Sequence, residues 1–258
     1  MPAASVTLAV DAADAPALTG DGSVGSRSMM MHGSALSAGA RQVVAKGTAL
    51  AAEQLGVEVA EVQFQDGVYM AASTNRSVSM VELITCFGDR TPHPLDTTAS
   101  VPSTQTFPSG AHVAEIELEA ETGLCRVVAY VAVDDCGVVV NHALVEGQIQ
   151  GGIMQGHGQV FGEGAVYDAE GQLVTGSFMD YAMPRADASH PLRVINQSVP
   201  SPNNLLGVKG VGEAGTTGAL PCLANAVIDA LGPLGVVALD LPCTPGRIWS
   251  VIAQARNP

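Results

Sequence analysis

Glu213 sits inside LGVKGVGEAGTTGALP (206–221), a glycine-rich loop running into a helix. Such loops ordinarily offer backbone N–H groups to an anion, so a carboxylate at the centre needs a different task. A glutamate held in a solvent-poor loop becomes more basic by desolvation, as a general base working near neutral pH requires. The plainer reading is a helix-start carboxylate stabilised by the helix dipole, and these residues alone favour it. Gly210 to Gly215 also matches GxGxxG. A dinucleotide-binding turn, however, needs a firm strand before it and a βαβ unit around it. The preceding SPNNLLG (201–207) is turn-like and no such unit follows, which argues against a nucleotide-dependent oxidoreductase. Backbone N–H groups at the helix start, with Thr216 and Thr217, could still hold phosphate.

The second constellation is HALVEGQIQGGIMQGHGQVF (142–161). At helical spacing Val145, Ile149, Ile153 and Val160 share one side. Gln148, Gly151, Gly152, Gln155 and Gln159 share the next, with no charge among them. Glycines 147, 151, 152, 156 and 158 each cost up to ~1 kcal/mol relative to alanine, so something must offset them. Glycine lets another body approach the backbone, and glutamine amides both donate and accept. A flat, heteroatom-rich ligand suits this face. Close packing of a second helix, with the glutamines near solvent, suits it equally.

The elements that must carry these groups follow from periodicity and turn chemistry. A short strand is expected at Val6–Val10, then a Gly/Ser/Asp loop to Ser28. A helix is expected over His32–Leu55, stopped by Gly56. A hairpin folds about Asp66-Gly67, and Ser79 with Glu82 forms a capping box opening a helix to about Cys86. Residues 88–110, rich in Pro, Thr and Ser, mark the best domain boundary. A second hairpin folds about Glu121-Thr122-Gly123, and Asn141 caps the glutamine-bearing helix. Tyr167–Val174 reads as a hairpin, Val194–Val199 as a strand, Gly218–Leu231 as a helix with Pro221 in its first turn, and Pro245–Ala255 as a last helix. The class is α+β: two α/β-layered subdomains with mixed sheets, 1–105, truncated at its start, and 106–258, carrying the glutamine-bearing helix and the GxGE loop.

Composition narrows the partners. Only 14% of residues are charged, against about a quarter ordinarily, which implies a surface covered by something. The net charge of −14 repels phosphate backbones and argues against nucleic acid. Five cysteines without a CxxC pair argue against a zinc or iron–sulfur site and fit reduced thiols in the cytoplasm. No apolar run is read as a membrane span and no signal peptide is seen.

GDGSVGSRS (20–28), DDCGVVVNHALVEGQIQGGIMQGHGQ (134–159), GSFMDYAMPRAD (176–187) and PSPNNLLGVKGVGEAGTTGALPCLANAVIDALG (200–232), in this order, resemble the C-terminal half of the molybdenum-binding large subunit of the molybdenum hydroxylases. That family comprises xanthine dehydrogenases, aldehyde oxidoreductases and aerobic carbon monoxide dehydrogenases. The resemblance implies oxidative hydroxylation of an aldehyde, an N-heterocycle or a related small molecule with water as oxygen source, and Glu213 as the base that deprotonates a Mo–OH group. It implies molybdopterin, in the cytosine dinucleotide form, against Gln148, Gly151, Gly152, Gln155 and Gly156. Further contacts are implied from Gly25, Ser26, Arg27 and Ser28 and from Lys209, Gly210, Val211 and Gly212. No side chain of this chain is implied as a metal ligand. Iron–sulfur clusters and FAD are implied only on partner subunits. The pattern departs from the family at Asn141-His142, where Asn-Pro is usual, and in a short loop before Gly25. The family's first molybdenum-binding half, with its GGGFG motif, is missing. The chain is therefore expected to pair with a polypeptide carrying that half and to be inactive alone. The alternative is a truncated, non-catalytic module acting as a structural or interaction partner.

Overall fold

The computed structural model describes residues 3–9, 20, 22–102, 104–186 and 191–256. The chain divides into two compact units. The first holds residues up to 22 and Met31–Ser103; the second holds Ser23–Met30 and Thr104–Pro258.

In the first unit a long helix, α1 (Ser34–Leu55), ends at Gly56 in the left-handed conformation; the chain enters it through one π-helical turn, Met29–Gly33. Three short strands, β1 (Val62–Gln65), β2 (Val68–Ala71) and β3 (Arg76–Ser79), form an antiparallel sheet in that order. Asp66 and Gly67 both take positive φ, as the tight β1–β2 hairpin requires. The capping box forms as expected: Glu82 N–H donates to Ser79 Oγ at 3.1 Å and Ser79 N–H to Glu82 Oε2 at 2.8 Å, opening α2 (Met80–Phe87). Gly47 has its reason in packing. The Tyr69 ring, fully buried, lies against its Cα, where a Cβ would collide with the phenol. Residues 6–9 are irregular rather than a strand, and Val10 lies outside the described residues. Arg76–Ser79 is a strand that the sequence did not announce.

The second unit is built on a mixed sheet. β4 (Ser109–Leu118) runs antiparallel to β5 (Cys125–Asp135), and β6 (Leu192–Asn196) runs parallel to β5. One face of this sheet carries the core. Tyr130 and Ala132 of β5 pack with Ile149, Ile153 and Val160 of α3 (His142–Phe161) and with Ala219, Leu223, Val227 and Leu231 of α4 (Ala214–Leu231). Ile248 and Ile252 of α5 (Pro245–Arg256) close it. Asn141 caps α3 as expected, its Oδ1 accepting Leu144 N–H at 3.1 Å. Tyr167–Val174 is reduced to a single bridge, Tyr167 to Leu173. Helix α4 starts four residues before the expected Gly218, so Pro221 stands inside it, not in its first turn. With its extension to Leu234, α4 is also long and apolar enough to cross a membrane, contrary to the sequence reading. Its Ala219, Leu223, Val227 and Leu231 are instead the fully buried stripe of this core.

Candidate functional site

The GxGE loop is pinned to the ends of the sheet. Asp135, last residue of β5, accepts Lys209 Nζ at 2.5 Å, Val199 N–H at 2.9 Å and Gly137 N–H at 2.9 Å. Burial alone would raise its carboxyl; the hydrogen bonds from Lys209, Val199 and Gly137 outweigh it and hold the group below the ordinary range. Lys209 N–H also donates to Cys136 O at 2.8 Å. Gly137 has positive φ, and a Cβ there would lie 2.9 Å from Lys209 N, so only glycine fits beside this loop.

Glu213 occupies the N-cap position of α4, yet its side chain makes no cap hydrogen bond. Its Oε2 instead accepts from Ser26 Oγ at 2.8 Å, across 187 residues of sequence. Ser26 takes positive φ (57°), as does Gly25 (60°), and this turn lies against the loop. A Cβ on Gly210 would come 2.9 Å from Ser26 Cβ, and one on Gly212 would come 3.2 Å from Ser26 Oγ and 3.6 Å from Gln148 Oε1. The 25–28 and 209–213 segments and α3 therefore meet around one carboxylate. Glu213 is exposed, so the solvent-poor setting expected from the sequence is not met within this chain.

The glycine face of α3 divides in two. Gly152 and Gly156 lie under α4: a Cβ on Gly152 would come 2.8 Å from Thr216 N, and one on Gly156 2.7 Å from Ala219 Cβ. Gly158 meets the side chains of Glu163 and Pro184. These three serve packing. A Cβ on Gly147 or Gly151 would meet nothing within 4 Å, and Gln148 and Gln155 beside them are exposed. Thr216 Oγ1 lies 2.8 Å from Gln155 Oε1 and 3.1 Å from Gly152 O, orienting that amide. Gln159 Oε1 is buried with no hydrogen-bond partner among the described residues. An uncharged row of amides and two open glycines beside a loop-borne carboxylate fits a flat group rich in heteroatoms, so the residues present fit molybdopterin. Arg27 and Ser28 continue the 25–26 turn, with Ser28 Oγ bonded to Ser23 Oγ.

Beside Glu213 opens a cavity of about 390 Å³, also lined by Ser26, Ser109, His112, Asp134 and Thr217. His112 and Asp134 were missed in the sequence. Their signal was parity: His112 alternates in register with the half-buried Ala114, Ile116 and Leu118, and Asp134 with the buried Tyr130 and Ala132. A histidine and an aspartate stand at inward positions of paired strands. The third motif, 176–187, is described up to Ala186 and leaves Phe178 and Met179 almost fully exposed. Among the described residues no group of His, Cys, Asp and Glu could hold a metal ion, and all five cysteines are free thiols.

The family model described as molybdopterin cofactor-binding domain matches residues 1–189. The chain is 36% identical over 239 residues to the nicotine 6-hydroxylase large subunit of Paenarthrobacter nicotinovorans, covering 89% of this chain and 29% of that protein. Among solved structures it resembles the Cu,Mo-CO dehydrogenase in its carbon monoxide reduced state (TM-score 0.79, 29% identity, 91% of this chain and 30% of that one). It also resembles quinoline 2-oxidoreductase from Pseudomonas putida 86 (TM-score 0.76, 34% identity, 89% and 30%). The chain thus spans about 30% of the length of the relatives it matches.

Proposed function

The chain belongs to the molybdopterin cofactor-binding domain family of the molybdenum hydroxylase large subunits, and from that premise we propose that it supplies the base and one wall of a hydroxylase cofactor site. The reaction is oxidative hydroxylation of an aldehyde or N-heterocycle with water as oxygen source. The observation that carries it is Glu213: a carboxylate at a helix start that leaves the cap unmade and turns to the Ser26 hydroxyl at the cavity wall. Bound there, the molybdenum cofactor, in its cytosine dinucleotide form, supplies the two-electron redox step. Glu213 accepts the proton of the attacking hydroxyl. Ser26 orients its carboxylate. Gln148 and Gln155 would offer amide donors and acceptors to the cofactor, and Gly151 would leave room beside it. Gly156 and Gly152 set the helix that carries them. Backbone N–H groups of Gly25 to Ser28 and of Val211 and Gly212 would hold polar groups of the cofactor, while Gly210, whose N–H donates to Thr106 Oγ1 at 3.3 Å, would give the loop its close approach. The Arg27 guanidinium suits its phosphates, and Lys209 fixes the loop through Asp135.

The relatives named as large subunits are about three times as long as this chain, and partner chains, implied by the family resemblance, are part of this proposal. They comprise one carrying the first half of the molybdenum-binding subunit and others carrying iron–sulfur clusters and FAD. Exposed Phe178 and Met179 are apolar surface that such a half would cover. The free thiols accord with a cytoplasmic setting. The test is Glu213→Gln in the assembled enzyme. Amide and carboxylate are near-isosteric but only one is a base, so molybdenum content should stay and most of the rate should go. Equal turnover in the variant removes Glu213 from the mechanism, and turnover by the purified single chain removes the need for partners.

A further inference from the structure

We propose that the cavity beside Glu213 is a proton exit, and that the buried His112–Asp134 pair on its wall receives the proton Glu213 has taken. This rests on Glu213 being the base. Hydroxylation from water releases protons, so a base that accepts one must be emptied at every turnover.

The pair is built into the sheet. His112 Nε2 lies 3.3 Å from both Asp134 oxygens and Nδ1 lies 2.7 Å from Tyr130 Oη, with side chains only 3% and 6% exposed for His112 and Asp134. Burial, then the neighbouring Cys222 thiol and Asp134, push the Tyr130 phenol well up, so it keeps its proton. The Asp134 carboxylate only accepts, so the Nε2–H of His112 points to it, and in a neutral imidazole Nδ1 then accepts the Tyr130 O–H. Two glycines make space for the pair. A Cβ on Gly218 would lie 2.7 Å from the His112 ring Cγ, and one on Gly110 would lie 3.2 Å from the Asp134 carboxyl carbon. Any other residue at either position would displace the pair from the cavity wall.

Glu213, Ala214, Thr217 and Gly218 line the cavity with one face of the start of α4. The His112 ring stands over Gly218, five residues beyond Glu213, which is about 7.5 Å along the helix axis. That spacing separates the backbone positions that carry the two groups, and the cavity both line has room for a short water chain between them. Thr217 lines the same cavity, and Pro221 removes the i+4 N–H that would otherwise occupy the Thr217 carbonyl. The step balances without redox change. The Glu213 O–H bond breaks, a proton moves through the chain, and an Asp134 oxygen gains it. The His112–Asp134 pair loses one negative charge and Glu213 returns to carboxylate. The proton then leaves through the cavity mouth.

The experiment follows exchange of the His112 Nε2–H with water by NMR on the ring-labelled full chain without cofactor. Glu213→Gln should slow this exchange severalfold, because the carboxylate that relays the proton is gone. An unchanged rate overturns the exit. In the assembled enzyme His112→Gln, which can still bond Asp134 and Tyr130, should lower kcat, leave KM and molybdenum content unchanged, and enlarge the solvent deuterium isotope effect. An unaltered kcat and isotope effect overturns it as well. Turnover by Glu213→Gln would sink the base itself, whereas an inactive Glu213→Gln with unslowed exchange sinks the exit alone.

Discussion

Gly151 and Gly152 are adjacent on α3, and replacing each with alanine should move stability in opposite directions. Alanine gains up to ~1 kcal/mol over glycine in a helix interior. At Gly151 nothing opposes that gain, since a Cβ would meet no atom within 4 Å. Gly151→Ala should therefore stabilise by about 0.5–1 kcal/mol. At Gly152 the added carbon would lie 2.8 Å from Thr216 N and 2.9 Å from Gly215 Cα, both backbone. The two helices must part, at an overpacking cost of about 1–3 kcal/mol. Their separation also loosens the Thr216 hydroxyl from Gly152 O, worth about 1 kcal/mol. Net of the propensity gain, Gly152→Ala should lose about 2 kcal/mol, or roughly 4–8 °C in Tm at ~2–4 °C per kcal/mol for a domain of this size. Thermal and urea melts of the two variants and wild type measure this directly. Because Gly151 is proposed to face the cofactor, Gly151→Ala should also lower molybdenum retention in the assembled enzyme while the fold gains stability. A Gly152→Ala protein as stable as wild type would refute the helix-crossing argument. A Gly151→Ala protein that keeps full metal would refute the assignment of the open face.

The Asp135–Lys209 pair makes a pH-dependent contribution. The folded carboxyl is held below its ordinary value near 3.8, so its stabilisation is fully present above that value and is lost as pH falls through it toward the folded value. Urea melts between about pH 5 and 3 should show a slope that Asp135→Asn flattens. Lys209→Ala should cost about 1–3 kcal/mol at neutral pH by leaving a mostly buried carboxylate short of a donor; an unchanged midpoint would contradict this. Burial, with Cys243 adding to it, pushes the Cys125 thiol up to about 12, so alkylation at pH 8 followed by mass spectrometry should label exposed Cys86 well before Cys125. Comparable rates at the two positions would show that the β4–β5 hairpin opens readily.

Much of the scaffold was legible because its determinants are local. The Ser79–Glu82 box, the Asp66-Gly67 hairpin and the Asn141 cap each depend on residues within a few positions of one another, and the chain forms all three. The start of α4 was misread because Pro221 looks like a first-turn residue. The tertiary contacts of Gly215 with Ile149 and Gly152 extend the helix back past it and outweigh local preference. Gly47 looked only weakening until the Tyr69 ring appeared beside it.

The α3 face shows where a single sequence stops. Ligand and packing readings both predicted glycines and amides there, and on a helical wheel they share one stripe. Gly152 and Gly156 answer to α4, whereas Gly147 and Gly151 answer to open space. The distinction is set by where a helix 60 residues later crosses, which no periodicity within α3 encodes. The same holds for Glu213, whose loop pattern is local but whose partner Ser26 is 187 residues away. His112 and Asp134 belong to the same class. Each is an ordinary polar residue by type, and only their inward register in β4 and β5, with Gly110 and Gly218 clearing the space, makes them a pair at the cavity beside Glu213. The residue proposed to do chemistry is thus recognisable by local motif, while those proposed to orient and serve it are recognisable only after the strands are paired. A search for inward-register polar residues on adjacent strands is therefore the step that would have found them.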